Sequence, residues 1–291
     1  MKSKAVRLLI QSFEQWNQDN GPRLGAALAF YTILSISPLV ILVIGIVSLV
    51  FSRSHAQSLL LAQVHSLMGA SGSDAVQVML SSSQKRGSGI FSAALGLVTL
   101  VFGASGVFGE LRSALNTIWK VEPMEHSGVM ALVRARLFSF GMVISVGFIL
   151  LVSLLASTAL AVMTKFFSGF LPFSGVVLEL LNFLVSFTGI TILFALILKY
   201  VPETKVEWRD VRVGAICTAL LFTLGKLLLA LYLGRTSPGS AYGAAGSLVA
   251  TVIWVYYSAQ IFFFGAELTH VFALSRTDGR GPGEYKSEIA A

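Results

Sequence analysis

Six long apolar segments fill most of this chain, and the charged residues lie almost entirely between them. The segments cover residues 25–51, 90–109, 137–163, 176–198, 213–233 and 244–273. Because about 20 helical residues cross the roughly 30 Å of hydrocarbon in a bilayer, each segment is long enough to span a membrane. Strands of a membrane barrel would instead alternate apolar and polar residues over about ten positions. The pattern therefore predicts an all-α polytopic membrane bundle with six transmembrane helices.

The basic residues collect on one side of the six predicted spans. Most of them lie in the amino-terminal segment, the second and fourth connections and the tail: Lys2, Lys4, Arg7, Arg23, Arg112, Lys120, Arg134, Arg136, Lys199, Lys205, Arg209, Arg212, Arg276, Arg280 and Lys286. Because cytoplasmic loops retain positive charge during insertion, we expect both termini in the cytoplasm. The net charge of +7 is spread over these segments, which argues against a nucleic-acid partner and predicts contact with anionic membrane lipids.

The amino-terminal segment, residues 1–24, has the pattern of an amphipathic helix followed by a turn. Its apolar residues recur at helical spacing: Val6, Leu9, Ile10, Phe13 and Trp16. Two placements fit this pattern, because the helix can lie along the inner membrane surface or pack on a cytoplasmic loop. The membrane domain then covers residues 25–273. Residues 274–291, rich in glycine and charge, are expected to form a flexible cytoplasmic tail.

Ionisable residues inside the spans indicate function, because lipid penalises them unless they face a cavity or a partner. Lys226 lies seven residues before the outer end of the fifth span. Glu179, with Asn182 one turn further on, lies at a similar depth in the fourth span. These positions predict an ion pair between Glu179 and Lys226 along a substrate path. The alternative is that Lys226 extends to the outer headgroups and Glu179 only begins its helix.

Two acidic residues mark the inner ends of the spans. Glu110 follows the second span and Glu267 lies near the inner end of the sixth, and we expect them to pair with Arg112 or Arg23. One interpretation is a structural clamp that closes the cytoplasmic ends of the first, second and sixth spans. The other is an inner gate, or a carboxylate that exchanges protons.

The first span contains a polar interruption near its middle. Tyr31, Thr32, Ser35, Ser37 and Pro38 lie there, and a proline removes one backbone hydrogen bond from a helix. Transporters place substrate sites at such breaks, so Tyr31, Ser35 and Pro38 are candidate residues of a substrate path. A kink that serves only helix packing is the alternative.

The first outer connection, residues 52–89, is long for a simple turn. Two sets of apolar residues recur in it at helical spacing: Leu60, Val64 and Leu67, then Val76, Met79 and Leu80. This spacing predicts short helices on the outer leaflet. They either frame a lateral entrance for an amphipathic substrate or cap the bundle.

Several short motifs distinguish the chain. They are Leu28-Ala29-Phe30-Tyr31, Ala114-Leu115-Asn116-Thr117-Ile118-Trp119, Tyr242-Gly243-Ala244-Ala245-Gly246-Ser247, Trp254-Val255-Tyr256-Tyr257 and Gly265-Ala266-Glu267-Leu268. With these motifs in this order over essentially its whole length, the sequence resembles the YihY/BrkB family of bacterial membrane proteins. The resemblance implies an inner-membrane protein with six spans. Members have carried the labels ribonuclease and virulence factor, and a role in transport of lipids or envelope components has been suggested for them.

No reactive constellation accompanies this resemblance. The histidines are scattered without metal-ligand spacing, no phosphate-binding Gly-x-x-x-x-Gly-Lys-Ser/Thr loop is present, and the single Cys217 excludes a disulfide within the chain. We therefore predict no enzyme and no cofactor. The leading hypothesis is a transporter or translocator of a lipid or amphipathic envelope component, without its own ATPase. The alternative is a non-catalytic membrane scaffold that docks an envelope partner protein.

Overall fold

The computed structural model describes residues 4–48, 52–85, 106–121, 174–236 and 246–277. Within these ranges the chain forms seven helical segments and no strand: α1 (Lys4–Gln18), α2 (Gly21–Val47), α3 (Arg53–Lys85), α4 (106–118), α5 (Ser174–Tyr200), α6 (Trp208–Thr236) and α7 (Gly246–Thr277). The all-α prediction is confirmed for this part of the chain. The predicted third span, 137–163, and most of the second, 90–109, lie outside the described residues.

Three described helices are long and apolar enough to cross a bilayer. Their apolar stretches are Phe183–Tyr200 in α5, Trp208–Leu229 in α6 and Gly246–Arg276 in α7. They coincide with the fourth, fifth and sixth predicted spans. The first predicted span is helical as α2, which begins at Gly21 rather than at residue 25. Pro22 suits this earlier start, because the first turn of a helix does not need the N–H that proline lacks.

The surface of these helices is apolar where a soluble bundle would be polar. One face of α6 exposes apolar residues at helical spacing along its length: Val213, Ile216, Leu220, Leu224, Leu227, Leu228 and Leu231. On α2, Phe30 keeps 62% of its surface exposed. An apolar surface of this extent is stable against lipid rather than water. The described helices therefore form a membrane-embedded bundle.

The carboxyl-terminal helix α7 is the centre of the described bundle. It packs against α1, α2, α3 and α6, and its residues 265–271 are all buried. Phe263 of α7 joins Leu115 and Ile118 of α4 and Leu198 of α5 in the main apolar core. A helical segment that is buried on all of its sides, as residues 265–271 are, is expected only at the middle of a bundle.

Helices α6 and α7 approach each other through two reciprocal pairs of glycine and threonine. Gly214 lies against Thr269 and Gly265 lies against Thr218, so a Cβ added to either glycine would overlap the facing threonine. Each threonine hydroxyl donates a 2.7 Å hydrogen bond to the carbonyl of the glycine four residues earlier in its own helix. Small residues at such crossings let membrane helices pack backbone to backbone, where dispersion contacts hold them together.

The segment α3 consists of two helices joined at Gly69. The backbone of Gly69 (φ 74°, ψ −167°) lies in a region that is open to glycine and not to other residues. Both helices join the carboxyl-terminal half of α2 in a second apolar cluster formed by Val40, Ile44, Ala56, Val76 and Leu80. The short helices predicted for the first outer connection are thus present. Their packing against α2 and α7 favours a cap on the bundle over a lateral entrance.

Candidate functional site

The ion pairs of the described bundle gather at one end. The turn after α1, the end of α4, the connection between α5 and α6, and the end of α7 meet there. The pairs are Asp19 with Lys120, Arg112 with Glu203, and Arg276 with both Glu207 and Asp210. We call this region the basic end. It brings together segments that the charge pattern assigned to a single side of the membrane.

Lys120 lies at the basic end, in the turn that ends α4, and its backbone conformation there is strained. Helix α4 ends in a Schellman turn, in which the Val121 N–H bonds the Asn116 carbonyl at 2.9 Å and the Lys120 N–H bonds the Thr117 carbonyl at 3.1 Å. Lys120 takes the left-handed conformation (φ 54°), which costs a residue other than glycine about 1–2 kcal/mol. Its ammonium group pairs with Asp19. The ion pair offsets part of the cost of keeping a lysine where glycine is the usual residue.

Two ionisable residues of α7 lie next to this ion pair. Glu267 is fully buried and His270 is 5% exposed. Neither carboxylate oxygen of Glu267, nor Nδ1 of His270, has a hydrogen-bond partner in the part of the chain that the structure describes. Asp19 and Lys120 lie near enough to interact electrostatically with both residues, although Asp19 and Glu267 are not in hydrogen-bond geometry. The His270 ring packs on Trp119, with centroids 5.0 Å apart.

Glu267 and His270, which we call the buried group, are the strongest candidate for a functional site. Burying a carboxylate without a partner is costly, and membrane proteins keep such residues mainly where a substrate or a proton passes. The arrangement provides a carboxyl group that can exchange a proton, beside a histidine and next to an ion pair that reaches the surface. Over the described ranges, no three His, Cys, Asp or Glu side chains are placed to hold a metal ion.

A second set of contacts fixes the connection between α5 and α6 over the end of α4. The Asn116 Nδ2 donates a hydrogen bond to Glu203 Oε2 at 2.8 Å, and the Glu203 backbone N–H donates to Asn116 Oδ1 at 2.9 Å. Arg112, one turn earlier on α4, forms an ion pair with the same carboxylate. One amide and one guanidinium group thus hold this connection in place.

We expect Asn116→Ala to destabilise the protein more than Thr117→Ala on the same helix. Loss of the amide leaves the partly buried Glu203 with two fewer hydrogen bonds, at a cost of about 1–3 kcal/mol. Thr117 is exposed, and its hydroxyl donates a hydrogen bond to the Ser113 carbonyl of its own helix. The variants are heated in detergent, and the loss of monodisperse protein is measured by size-exclusion chromatography to give a melting temperature for each. Equal melting temperatures would contradict this role of Asn116.

The four residues predicted as an inner gate or clamp are arranged differently from the expectation. Arg112 pairs with Glu203, because the connection between α5 and α6 folds over the end of α4. Neither Glu110 nor Arg23 forms an ion pair with any residue of the described ranges, and Arg23 is exposed. The expected pairs of Glu110 and Glu267 with Arg112 or Arg23 are therefore not formed in this part of the chain. Only Glu267 of the four enters the buried group.

The predicted substrate-path residues of the first span lie on α2, which continues through Pro38 without a break. Ser35 is buried, and its hydroxyl donates a 2.7 Å hydrogen bond to the Tyr31 carbonyl. A proline at position 38 removes the N–H partner of the Leu34 carbonyl. The Ser35 hydroxyl does not replace that bond, because it donates to the Tyr31 carbonyl instead. The Tyr31 ring is partly exposed and lies against Gly106 at the start of α4. Within one turn of α2, the side chains thus change from partly exposed at Tyr31 to buried at Ser35.

The remaining predicted substrate-path residues are Glu179, Asn182 and Lys226. The side chains of Glu179 and Asn182 lie outside the described part of α5. Lys226 is half-buried on α6 and forms no ion pair with the residues that the structure describes. The ion pair between Glu179 and Lys226 stays a prediction.

Five residues of the basic end were not among the site residues predicted from the sequence: Asp19, Asn116, Lys120, Glu203 and His270. One signal was present, since Asn116 belongs to the motif after the second predicted span and His270 follows the Gly265-Ala266-Glu267-Leu268 motif directly. The charge pattern indicated only the side of the membrane, because a sequence does not reveal which connections meet.

Comparison with known proteins assigns the chain to a family. The family described as virulence factor BrkB matches residues 12–289. Its relatives include UPF0761 membrane proteins of Mannheimia succiniciproducens, 28% identical over 273 residues (91% of this chain, 90% of the relative), and of Actinobacillus pleuropneumoniae serotype 5b, 27% identical over 276 residues (91% of each). A third, from Pseudoalteromonas translucida, is 27% identical over 248 residues (83% of this chain, 78% of the relative). No solved structure matches the chain. As its motifs predicted, and with a match over nearly its whole length, the chain belongs to the YihY/BrkB family, described as virulence factor BrkB.

Proposed function

We propose that this protein is a transporter or translocator that moves a lipid, or another amphipathic envelope component, across the bacterial inner membrane without hydrolysing ATP. The observation that carries the proposal is the Glu267 carboxylate, which is fully buried in the central helix and lacks a hydrogen-bond partner among the described residues. Ionisable groups in such positions mark pathways of substrates or protons in membrane proteins. Both termini are proposed to be cytoplasmic, which places the basic end at the inner surface.

In the proposed mechanism, Glu267 acts as the inner gate through exchange of a proton. When Glu267 is charged, Lys120 is attracted to two carboxylates, those of Asp19 and Glu267. When Glu267 is neutral, Lys120 is attracted to Asp19 alone. The protonation state therefore changes the electrostatic interaction between the turn after α1, the end of α4 and the middle of the bundle. A two-state gate requires such a difference in interaction energy between its states.

An amphipathic substrate suits the two environments of α2. Phe30 and Tyr31 are exposed on the apolar surface of the bundle, whereas Ser35 is buried one turn further on. A lipid can keep its acyl chains on that surface while its headgroup follows the polar side of the helix. The proposed path comprises Tyr31, Ser35, Pro38, Glu179, Asn182 and Lys226.

Movement of fluorescent phospholipid across vesicles that contain the purified full-length protein tests this proposal. We expect movement above that of empty vesicles, and we expect Lys226→Ala to lower it towards the empty-vesicle level. Lys205→Ala is the matched control, because Lys205 is an exposed lysine of the connection between α5 and α6 and lies outside the proposed path. Absence of movement with correctly inserted, monodisperse protein would contradict the proposal and favour a scaffold that docks an envelope partner protein.

A further inference from the structure

Helix α1 exposes apolar residues along one side although it is not itself a span. These residues occupy positions i, i+3, i+4 and i+7 and keep between 38% and 58% of their surface exposed: Val6, Leu9, Ile10 and Phe13. We call them the α1 apolar stripe. The described helices leave these side chains exposed.

Helix α1 has two further faces. One consists of exposed polar residues, Arg7, Gln11, Glu14 and Gln18. The other faces the bundle, where Ser12 is fully buried and Trp16 packs against the main core. At 100° per residue, the centres of the three faces lie about 120° apart. A helix with one protein face, one water face and one apolar face is suited to the place where protein, water and lipid meet.

Helices α6 and α2 mark the level of the membrane surface at the basic end. On α6, the exposed residues change from Arg209 and Arg212 to Val213 and Ile216 within two turns. On α2, the exposed Arg23 precedes the exposed apolar Phe30 by two turns. These changes from charged to apolar surface correspond to the boundary between headgroups and acyl chains. Because α1 joins α2 directly at the turn before Arg23, it lies at this boundary.

The rotation of α1 about its axis is set by the bundle. Ser12 is fully buried, and Asp19, directly after the helix, pairs with Lys120 at the end of α4. The apolar stripe therefore cannot turn inward without exposing Ser12 and separating this ion pair. The stripe is therefore held facing away from the described bundle.

We propose that α1 lies in the plane of the membrane at the basic end and binds an anionic lipid surface through its apolar stripe. Exposed arginines lie on α1 (Arg7), at the start of α2 (Arg23) and at the start of α6 (Arg209 and Arg212), and basic residues at a membrane surface attract anionic headgroups. The stripe is then a lipid-binding surface distinct from the proposed substrate path. The inference does not depend on which substrate the protein moves.

Site-specific fluorescent labels in the full-length protein test this inference. In a Cys217→Ser background, a polarity-sensitive dye is attached at Phe13→Cys in the stripe or at Gln11→Cys on the polar face of the same helix. Leu9→Cys is a second stripe position if Phe13→Cys does not fold. The protein is reconstituted into vesicles of phosphatidylcholine with phosphatidylglycerol and, separately, of phosphatidylcholine alone. Spin-labelled lipid and aqueous iodide serve as quenchers.

We expect spin-labelled lipid to quench the stripe label at least about twofold more than the Gln11 label, with the opposite order for iodide. Removing phosphatidylglycerol should reduce the lipid quenching of the stripe label. Equal iodide quenching of both labels would overturn the proposal. A stripe label that neither quencher reaches would also overturn it, because a protein partner or a second copy would then cover the stripe. Quenching that is unchanged without phosphatidylglycerol would overturn the preference for anionic lipid.

Discussion

Glu267→Gln is expected to abolish the pH dependence of lipid movement while the protein stays folded. Glutamine has nearly the same shape as glutamate but cannot exchange a proton. Neither carboxylate oxygen of Glu267 has a hydrogen-bond partner in the described ranges, so the substitution removes no hydrogen bond there. We expect the free energy of unfolding to change by no more than about 1 kcal/mol. Lipid movement is measured over a series of pH values, with equal pH inside and outside the vesicles.

Glu203→Gln is the matched control for this prediction. Glu203 is a partly exposed glutamate of the same end of the bundle and pairs with Arg112. Its neutralisation should cost about 1 kcal/mol, as expected for a partly exposed ion pair, and should leave the shape of the pH profile unchanged. Asp19 and His270 also face Glu267 and stay ionisable in the Glu267→Gln variant. A pH profile like that of the unmodified protein would therefore assign proton exchange to those residues and contradict the role of Glu267.

Gly265→Ala is expected to weaken the central helix pair. A Cβ at this position would overlap Thr218 of α6, and the two helices would have to separate. Overpacking of this kind costs about 1–3 kcal/mol. Gly109→Ala on α4 is the matched control, because nothing lies within 4 Å of a Cβ at that position. Alanine there should be neutral or stabilising by about 0.5–1 kcal/mol, since it favours the helix over the unfolded chain.

A compensating substitution separates this packing effect from a general loss of fold. Thr218→Ala removes the hydroxyl and methyl groups that the new Cβ would meet and leaves only the Cβ of residue 218, 2.8 Å away, so the double variant should recover part of the melting temperature lost by Gly265→Ala. Melting temperatures are measured in detergent by size-exclusion chromatography after heating. If the double variant were no more stable than Gly265→Ala alone, contact with Thr218 would not explain the loss.

The membrane character of the chain follows from its sequence alone. Continuous apolar runs long enough to cross a bilayer leave their backbone only the helical state, because lipid provides no partners for free N–H and C=O groups. The fourth, fifth and sixth predicted spans therefore coincide with α5, α6 and α7. The apolar spacing from Val6 to Phe13 likewise predicted an amphipathic α1. These features depend on neighbours within a few residues of one another.

Only the tertiary structure reveals which polar residues meet at the basic end. Asp19 and Lys120 are 101 residues apart, and Asn116 and Glu203 are 87 residues apart. Hydropathy predicts how deep a residue lies along a span but not which neighbouring helix it faces. Glu267 was expected to pair with Arg112 or Arg23. Neither pair is formed within the described residues, where Arg112 pairs with Glu203.

Sequence by itself thus determined the class of protein, its family and the three described helices long and apolar enough to span a membrane, because hydrophobicity and motifs are local properties of the chain. Tertiary structure decided which charges are paired, which carboxylate is buried without a partner among the described residues, and which face of α1 stays exposed. Those properties depend on the rotation of each helix about its axis. That rotation is set by distant contacts, such as Gly265 against Thr218 and Asp19 with Lys120.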